Sequence, residues 1–229
     1  MPENEGPKIR VTKDGPYIVE GALPMAKQTI VTDENRESVG WAESDRIEPG
    51  RGVSLCRCGS SAHKPYCDGM HSEVGFDGTE TAPHTPYAEA AMPIEGPTLV
   101  LMDEVDLCAR ARHCVAKGKI WDRISEPDAE ARRVVIEQSE MCPAGRYTAV
   151  DSDTGHAHEP DLEQSIGIVE DPLAAVSGPL WIRGRVPVVS AKGEPYEVRN
   201  RVTLCRCGAS ANKPFCDSSH VDVGFDDSV

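Results

Sequence analysis

The chain has 229 residues, 39% hydrophobic but only 5% aromatic, enough for a modest core and too few large apolar side chains for a generous one. Its formal net charge of −14 and isoelectric point near 4.9 exclude nucleic acid as an expected partner, because phosphates would repel it, and favour a partner with a basic docking face. No run approaches the roughly 18 apolar residues of a membrane span, and the opening MPENEGPKIRV lacks the apolar segment of an export signal, so a cytoplasmic chain with no membrane partner is expected, whose nine cysteines are metal ligands or nucleophiles rather than disulfides.

In chain order, short β-branched stretches bounded by turn formers predict strands at Ile9–Thr12, Tyr17–Glu20 and Gln28–Thr32. An extra segment follows around Asp33–Ile47, and then the loop CRCGSSAHKPYCDGMH at 56–71. Thr81–Pro97 is proline-rich and reads as a linker. Residues 98–150 open on the apolar strand TLVLM. A cysteine-bearing loop with a short helix follows, then a charged helix or loop at Glu126–Ala131, a strand RRVVIE and a cysteine turn MCPAGRY. Asp151–Glu163 is polar and is expected to be a solvated loop carrying His156 and His158. Strands are expected again at Leu180–Arg183, Val186–Ser190 and Tyr196–Val202, ahead of a second loop, CRCGASANKPFCDSSH, at 205–220. The divisions are therefore a first half at 1–80, a linker at 81–97, a middle domain at 98–150, a loop at 151–175 and a second half at 176–229.

The two loops are an internal repeat, and it sets the fold. Cys56–Phe76 aligns with Cys205–Phe225 without a gap, and GPYIVEGALPM at 15–25 resembles GPLWIRGRVPV at 178–188. Each copy spaces its polar ligands Cys-x-Cys-x8-Cys-x3-His: Cys56, Cys58, Cys67 and His71, then Cys205, Cys207, Cys216 and His220. The four-residue step from the third cysteine to the histidine puts both on one face of a short helix, and Asp68 and Asp217 are placed to cap it or to accept loop amides. Three thiolates and an imidazole suit either a Cys3His zinc site or a [2Fe–2S] cluster. The single-residue gap between the first two cysteines favours the cluster over zinc, whose pairs are more often spaced C-x2-C.

Taken whole, the string Cys-x-Cys-x2-Ser-x3-Pro-x-Cys-Asp-Gly-x-His, carried by Cys56, Cys58, Ser61, Pro65, Cys67, Asp68, Gly69 and His71, resembles the signature of the CDGSH (NEET) iron–sulfur family. The second copy matches through Cys205, Cys207, Ser210, Pro214, Cys216, Asp217 and His220, with Ser218 in place of the glycine, while Met70 replaces a small residue in the first. The resemblance implies one [2Fe–2S] cluster per copy and two copies paired about a two-fold axis. The expected fold is α+β: a small β-rich pseudo-two-fold tandem, an internal pseudo-dimer within a monomer, with a ferredoxin-like α+β domain inserted. Imidazole competes for protons near neutral pH, so the clusters are expected to grow labile below about pH 6.5.

Three cysteines remain: Cys108, Cys114 and Cys142, the last followed by Pro143. CARARHC resembles a bacterial mono-cluster ferredoxin run, C-x2-C-x2-C with a remote Cys-Pro, in which Ala111 stands at the middle ligand. The resemblance implies a [3Fe–4S] cluster, or a [4Fe–4S] cluster with an outside ligand, for which His113 is the nearest donor. All nine cysteines then fall into three sets of three.

His63, His84, His156 and His158 are expected to be solvated, Trp41, Trp121 and Trp181 to be core or cluster-shielding, and Lys64 and Lys213 to lie near the clusters or on the surface. No nucleotide-binding or hydrolase motif appears, so the chain is not expected to be an enzyme by itself. The expected function is one-electron transfer or redox sensing with redox partner proteins. The alternatives are a cluster donor and a zinc-binding interaction module.

Overall fold

The computed structural model describes residues 6–50 and 52–227, so the outermost residues of the two expected halves lie outside the described residues. Strands β1 (Lys8–Val11), β2 (Tyr17–Glu20), β3 (Met25–Thr32), β4 (Ser38–Glu43) and β5 (Val53–Leu55) precede the first cysteine loop, and helix α1 (Met70–Glu73) closes it. The middle contains α2 (Tyr87–Ala90), β6 (Met92–Glu95), β7 (Leu99–Asp103), α3 (Ile120–Arg123), α4 (Ala129–Glu140), β8 (Tyr147–Asp151) and β9 (Ala157–His158). Then come β10 (Ser165–Asp171), β11 (Val176–Arg183), β12 (Val188–Val189), β13 (Arg201–Leu204) and α5 (Ser219–Asp222). The chain is α+β and rich in strands.

Three sheets organise it: β12-β1-β2-β5, β13-β11-β10-β3-β4 and β6-β7-β8-β9. The first two treat the repeat alike. In one, Tyr17 of β2 pairs with Leu55, the residue before Cys56; in the other, Leu180 of β11 pairs with Leu204, the residue before Cys205. Each half also lends a strand to the other's sheet in parallel pairing: β3 pairs with β10 at Met25↔Ile166, and β12 pairs with β1 at Ile9↔Val188. One shared core results, in which Ile9, Tyr17, Leu23, Met25 and Leu55 pack with Ile166, Leu180, Ile182, Val188 and Leu204. A chain with few aromatics obtains its core by pooling the apolar faces of both halves.

The middle sheet is antiparallel throughout and is covered by α4, through Leu99, Leu101, Ile120, Ile124, Val135 and Tyr147. Here the structure corrects the sequence. RRVVIE is not a strand but the centre of α4. Ala131, Val134, Val135 and Gln138 are buried at helical spacing, Asp128 caps the amides of Glu130 and Ala131, and Arg133 pairs with Glu130 and Glu137. Three consecutive β-branched residues, Val134, Val135 and Ile136, outvoted that period in the sequence.

The segments expected to be linker and loop also carry structure. Residues 81–97 hold α2 and β6, the latter paired with β7. Residues 151–175 hold β9 and β10, and β10 is the central strand of the five-stranded sheet, buried along almost its whole length. His158 is not solvated: its Nε2 lies 2.8 Å from Asp151 Oδ1, and Arg132 approaches the same oxygen at 2.5 Å. Trp41 and Trp181 pack together with ring centroids 4.9 Å apart, but Trp121 is 39% exposed and lies outside the core.

The middle unit is docked on the sheets by cations. Arg201 of β13, 1% exposed, donates to the carbonyls of Cys142 (2.8 Å), Ser139 (3.0 Å) and Tyr147 (3.2 Å) and pairs with Glu159. Arg112 grips Asp171 of β10 with two hydrogen bonds, 2.5 and 2.8 Å. Replacing Asp128 with Ala removes both capping bonds of α4 and is expected to cost about 1 kcal/mol, lowering the thermal midpoint by about 2–4 °C in a circular-dichroism melt. An unchanged midpoint would show that tertiary packing alone holds this helix.

Candidate metal centres

Each repeat loop is a continuation of its strand ladder. The amide of Cys56 donates to Pro65 O (2.8 Å) and that of Cys67 to Ser54 O (2.9 Å); in the second copy Cys205 donates to Pro214 O and Cys216 to Thr203 O, both at 2.9 Å. The serine in each loop, Ser61 or Ser210, donates its hydroxyl to the carbonyl before the third cysteine, at 2.6 and 2.7 Å. As expected, Asp68 and Asp217 accept loop amides. Asp68 takes those of Ala62 (2.8 Å) and Met70 (3.1 Å), which hold its carboxyl below the usual range, and Asp217 takes those of Ala211 (2.7 Å) and Ser219 (3.0 Å). The turn before each histidine needs a left-handed residue: Gly69 at φ 95° in the first copy, Ser218 at φ 76° in the second.

The ladders bring the ligands together in pairs. Cys56 Sγ lies 3.8 Å from Cys58 Sγ, and Cys67 Sγ lies 3.4 Å from His71 Nδ1. The corresponding separations in the second copy are 3.6 Å for Cys205–Cys207 and 3.5 Å for Cys216–His220. A tetrahedral metal with bonds of about 2.3 Å to sulfur holds two thiolates about 3.8 Å apart, and a thiolate and an imidazole nitrogen about 3.5 Å apart. Both pairs in both copies therefore have the dimensions of one edge of a metal tetrahedron. Among the described residues no three of these side chains converge on a single ion. Two pairs, one per metal, is the donor arrangement of a two-iron cluster, and the residues fit that group.

Without metal the cysteines cannot all ionise. The hydrogen bond between Cys205 and Cys207 leaves one proton for the two: it pulls Cys205 down to about 6 and drives Cys207 upward. Burial pushes Cys216 well up and brings the imidazole of His220 down to about 4, with the Arg206 guanidinium adding to the latter. Neutral imidazole is the ligand form.

Sequence reasoning missed the residue between the first two cysteines. Arg57 and Arg206 are 1% and 2% exposed, and their guanidiniums lie 5.2 Å from the rings of Phe76 and Phe225 respectively. Arg57 donates to the carbonyls of Thr12 and Gly78, and Arg206 to those of Gly178 and Val169 and to Glu170 and Asp227. They tie each loop to the chain on either side of it. The signal was present, an arginine repeated at the same place. Tyr17 was missed too: its hydroxyl reaches across to the carbonyls of Cys205 (2.8 Å) and Pro214 (3.0 Å).

The two loops lie against each other. A Cβ on Gly59 would stand 2.6 Å from Cys207 O, and a Cβ on Gly208 would stand 2.6 Å from Cys58 O. They differ in cover: Cys216 and His220 are buried, whereas Cys67 and His71 are half-buried. The middle unit makes the difference. Arg110 pairs with Asp222 of α5 at 3.3 Å, and Asn212 Nδ2 donates to Asp106 O at 3.0 Å.

The remaining three cysteines lie around one pocket. Cys108, Cys114 and Cys142 line one cavity of about 120 Å³ with Ala111, Arg146 and Tyr147. Burial, then its neighbours Cys142 and Cys108, push the Cys114 thiol up to about 11. Ala111, the residue at the middle position of the ferredoxin-like run, is in that lining, and the Tyr147 hydroxyl is buried with no partner, an orphan donor in the same lining. An apolar pocket with three thiols fits a cuboidal cluster held at three corners. His113 is committed elsewhere. Its Nδ1 lies 2.8 Å from Ser38 O and its ring 4.9 Å from Trp41, so it belongs to the joint with the five-stranded sheet. Of the other histidines, His63 is exposed and His84 stacks on Tyr196 at 4.3 Å. Lys213 bonds Ser210 O at 2.7 Å within the second loop.

Comparison with known families agrees with this layout. The model described as iron-binding zinc finger CDGSH type matches residues 14–72 and 177–221, and the model described as divergent 4Fe-4S mono-cluster matches residues 94–152 between them. No curated protein and no solved structure matches the chain significantly.

The loop-to-loop contact gives a symmetric test. Gly59→Ala and Gly208→Ala each force a left-handed alanine against a carbonyl of the opposite loop and are each expected to cost about 3 kcal/mol. Guanidinium titrations of the two variants should show similar losses. A loss confined to one of them would mean that the loops do not lean on each other equally.

Proposed function

We propose that this iron–sulfur chain, with its two CDGSH-type segments around a divergent 4Fe-4S mono-cluster segment, transfers or senses single electrons. Each Cys3His tetrad holds a [2Fe–2S] cluster, and Cys108, Cys114 and Cys142 hold a [4Fe–4S] or [3Fe–4S] cluster. The observation that carries this is the division of each tetrad into two ligand pairs of metal-tetrahedron dimensions. It favours two metals per loop over a single zinc. When bound, the clusters supply reversible one-electron chemistry. The chain supplies the rest: cysteine pairs held by the strand ladders, neutral imidazoles, and apolar cover at the second and middle sites. The exchanged strands and reciprocal glycine contacts support an internal pseudo-dimer, and the middle segment stands as a ferredoxin-like insertion.

The asymmetry of cover assigns roles. The second site is enclosed between the first loop and the middle unit, so an outside partner meets the more open first site. The formal charge of −14 and the exposed Asp68 and Glu73 beside that site favour a basic redox partner. A cytoplasmic location and the lack of a self-contained enzymatic activity belong to the same proposal. Half-exposed imidazole ligation at the first site also favours cluster donation as the second reading.

Anaerobic iron and acid-labile sulfide analysis tests the assignment. About eight irons per chain are expected with a [4Fe–4S] middle centre and about seven with [3Fe–4S], with sulfide to match; zinc without sulfide would end it. Acid titration separates the two histidine sites. Burial holds His220 neutral until the pH nears 4, so a proton displaces it only there, and the second-site share of the visible absorbance is expected to survive to about that pH. His220→Cys should move this step, and His71→Cys should leave it in place. A single step that neither substitution shifts would refute the assignment of the two histidines.

A further inference from the structure

Outside the three centres, a cavity of about 380 Å³ lies at the joint of the middle unit, the 82–90 segment and the second half. That volume lies within the range of about 300–1,000 Å³ typical of small-molecule sites. Its walls include rings: His84 stacked on Tyr196 at 4.3 Å with interplanar angle 5°, Phe215 edge-on to Tyr196 at 5.1 Å, and Tyr87, with the Arg199 guanidinium 3.9 Å from its ring centroid. Leu107, the residue before Cys108, and Phe215, the residue before Cys216, both line it. The cavity therefore lies one residue from a ligand of the middle centre and one residue from a ligand of the second repeat loop. Cys216 and Cys142 share an apolar cluster there with Ala109, Ala144 and Leu107.

The polar groups narrow the class of occupant. Glu104, Asp106 and Glu197 line the cavity against one arginine, Arg199, whose guanidinium lies on the Tyr87 ring, so an anionic ligand such as a nucleotide is disfavoured. Asn212 spends one amide hydrogen on Asp106 O and has a second to donate. Ring walls select a planar conjugated body, and one amide donor selects a carbonyl acceptor.

We propose that this cavity binds an uncharged, planar, conjugated carbonyl compound of quinone type, packed against its ring side chains with its carbonyl on Asn212. The choice of a redox-active ring rests on the iron–sulfur function proposed above; the cavity and its selectivity do not. No electron-transfer step is needed for binding, and none is part of the proposal.

The test is equilibrium dialysis of the full cluster-loaded chain against 2,3-dimethyl-1,4-naphthoquinone, whose substituted ring carbons do not add cysteine thiols. Saturable binding of one molecule per chain is expected. Ala90→Phe, which fills the cavity from a half-buried wall position, should weaken it roughly ten-fold or more. Asn212→Ala should weaken it roughly five-fold, and the carbonyl-free 2,3-dimethylnaphthalene should bind the parent no better than that variant binds the quinone. No saturable binding up to about 1 mM overturns the proposal, as does binding that Ala90→Phe leaves unchanged. Equal affinity for the hydrocarbon overturns the carbonyl contact. Iron and sulfide are measured on the same samples. A metal-free chain that still binds the quinone leaves the cavity standing and removes the electron-transfer function, whereas a fully loaded chain that does not bind removes the cavity alone.

Discussion

Each cysteine loop in this chain is the support of the other. The glycine after Cys58 has no side chain because the carbonyl of Cys207 fills the space, and the glycine after Cys207 has none because of the carbonyl of Cys58. Two loops that must each hold thiols within about 3.8 Å of one another are braced across a common contact rather than by a thick core of their own. The exchange of β3 and β12 between the two sheets follows the same logic. It merges two thin sets of apolar side chains into one core, and it makes the separation of the halves equivalent to unfolding.

Buried cations do the remaining bracing. Arg57 and Arg206 are removed from water beside their own cluster loops, and each is compensated by carbonyls and an aromatic face; Arg206 has two carboxylates in addition. Removing such a residue would leave its partners without donors, so it serves the loop's conformation more than its net stability. The same positive charges lie beside sites whose thiolates bring negative charge. Arg201 extends this to the joint between units, where it binds the carbonyl of Cys142 from a strand that ends one residue before Cys205. One strand thus positions ligands of two centres.

The layout is directional. The first loop faces solvent, the second is enclosed, and the middle set of thiols packs against the second through Leu107, Ala109 and Cys216. Three sulfur clusters of side chains are in series, with the acidic surface outside and a ring-lined cavity at the inner joint. That order follows from how the chain docks, since in sequence the middle segment is flanked equally by both repeats.

The sequence alone determined the candidate ligand sets, because coordination chemistry constrains residue type and short-range spacing, and both are visible in a string: Cys56, Cys58, Cys67 and His71, their second copies, and the three left over. It also determined the strand against which each loop's lead-in strand pairs, since Tyr17–Glu20 and Leu180–Arg183 are repeated with it. It could not determine α4, where Val134 and Val135 masked a helical period, nor β10, whose parallel partner is more than a hundred residues away, nor the strand in the supposed linker. Tertiary structure alone decided which loop is open, where His113 and Arg201 are spent, and that a cavity exists between two centres. Those outcomes depend on which surfaces exclude water together, and burial is a property of the packed chain rather than of any segment of it.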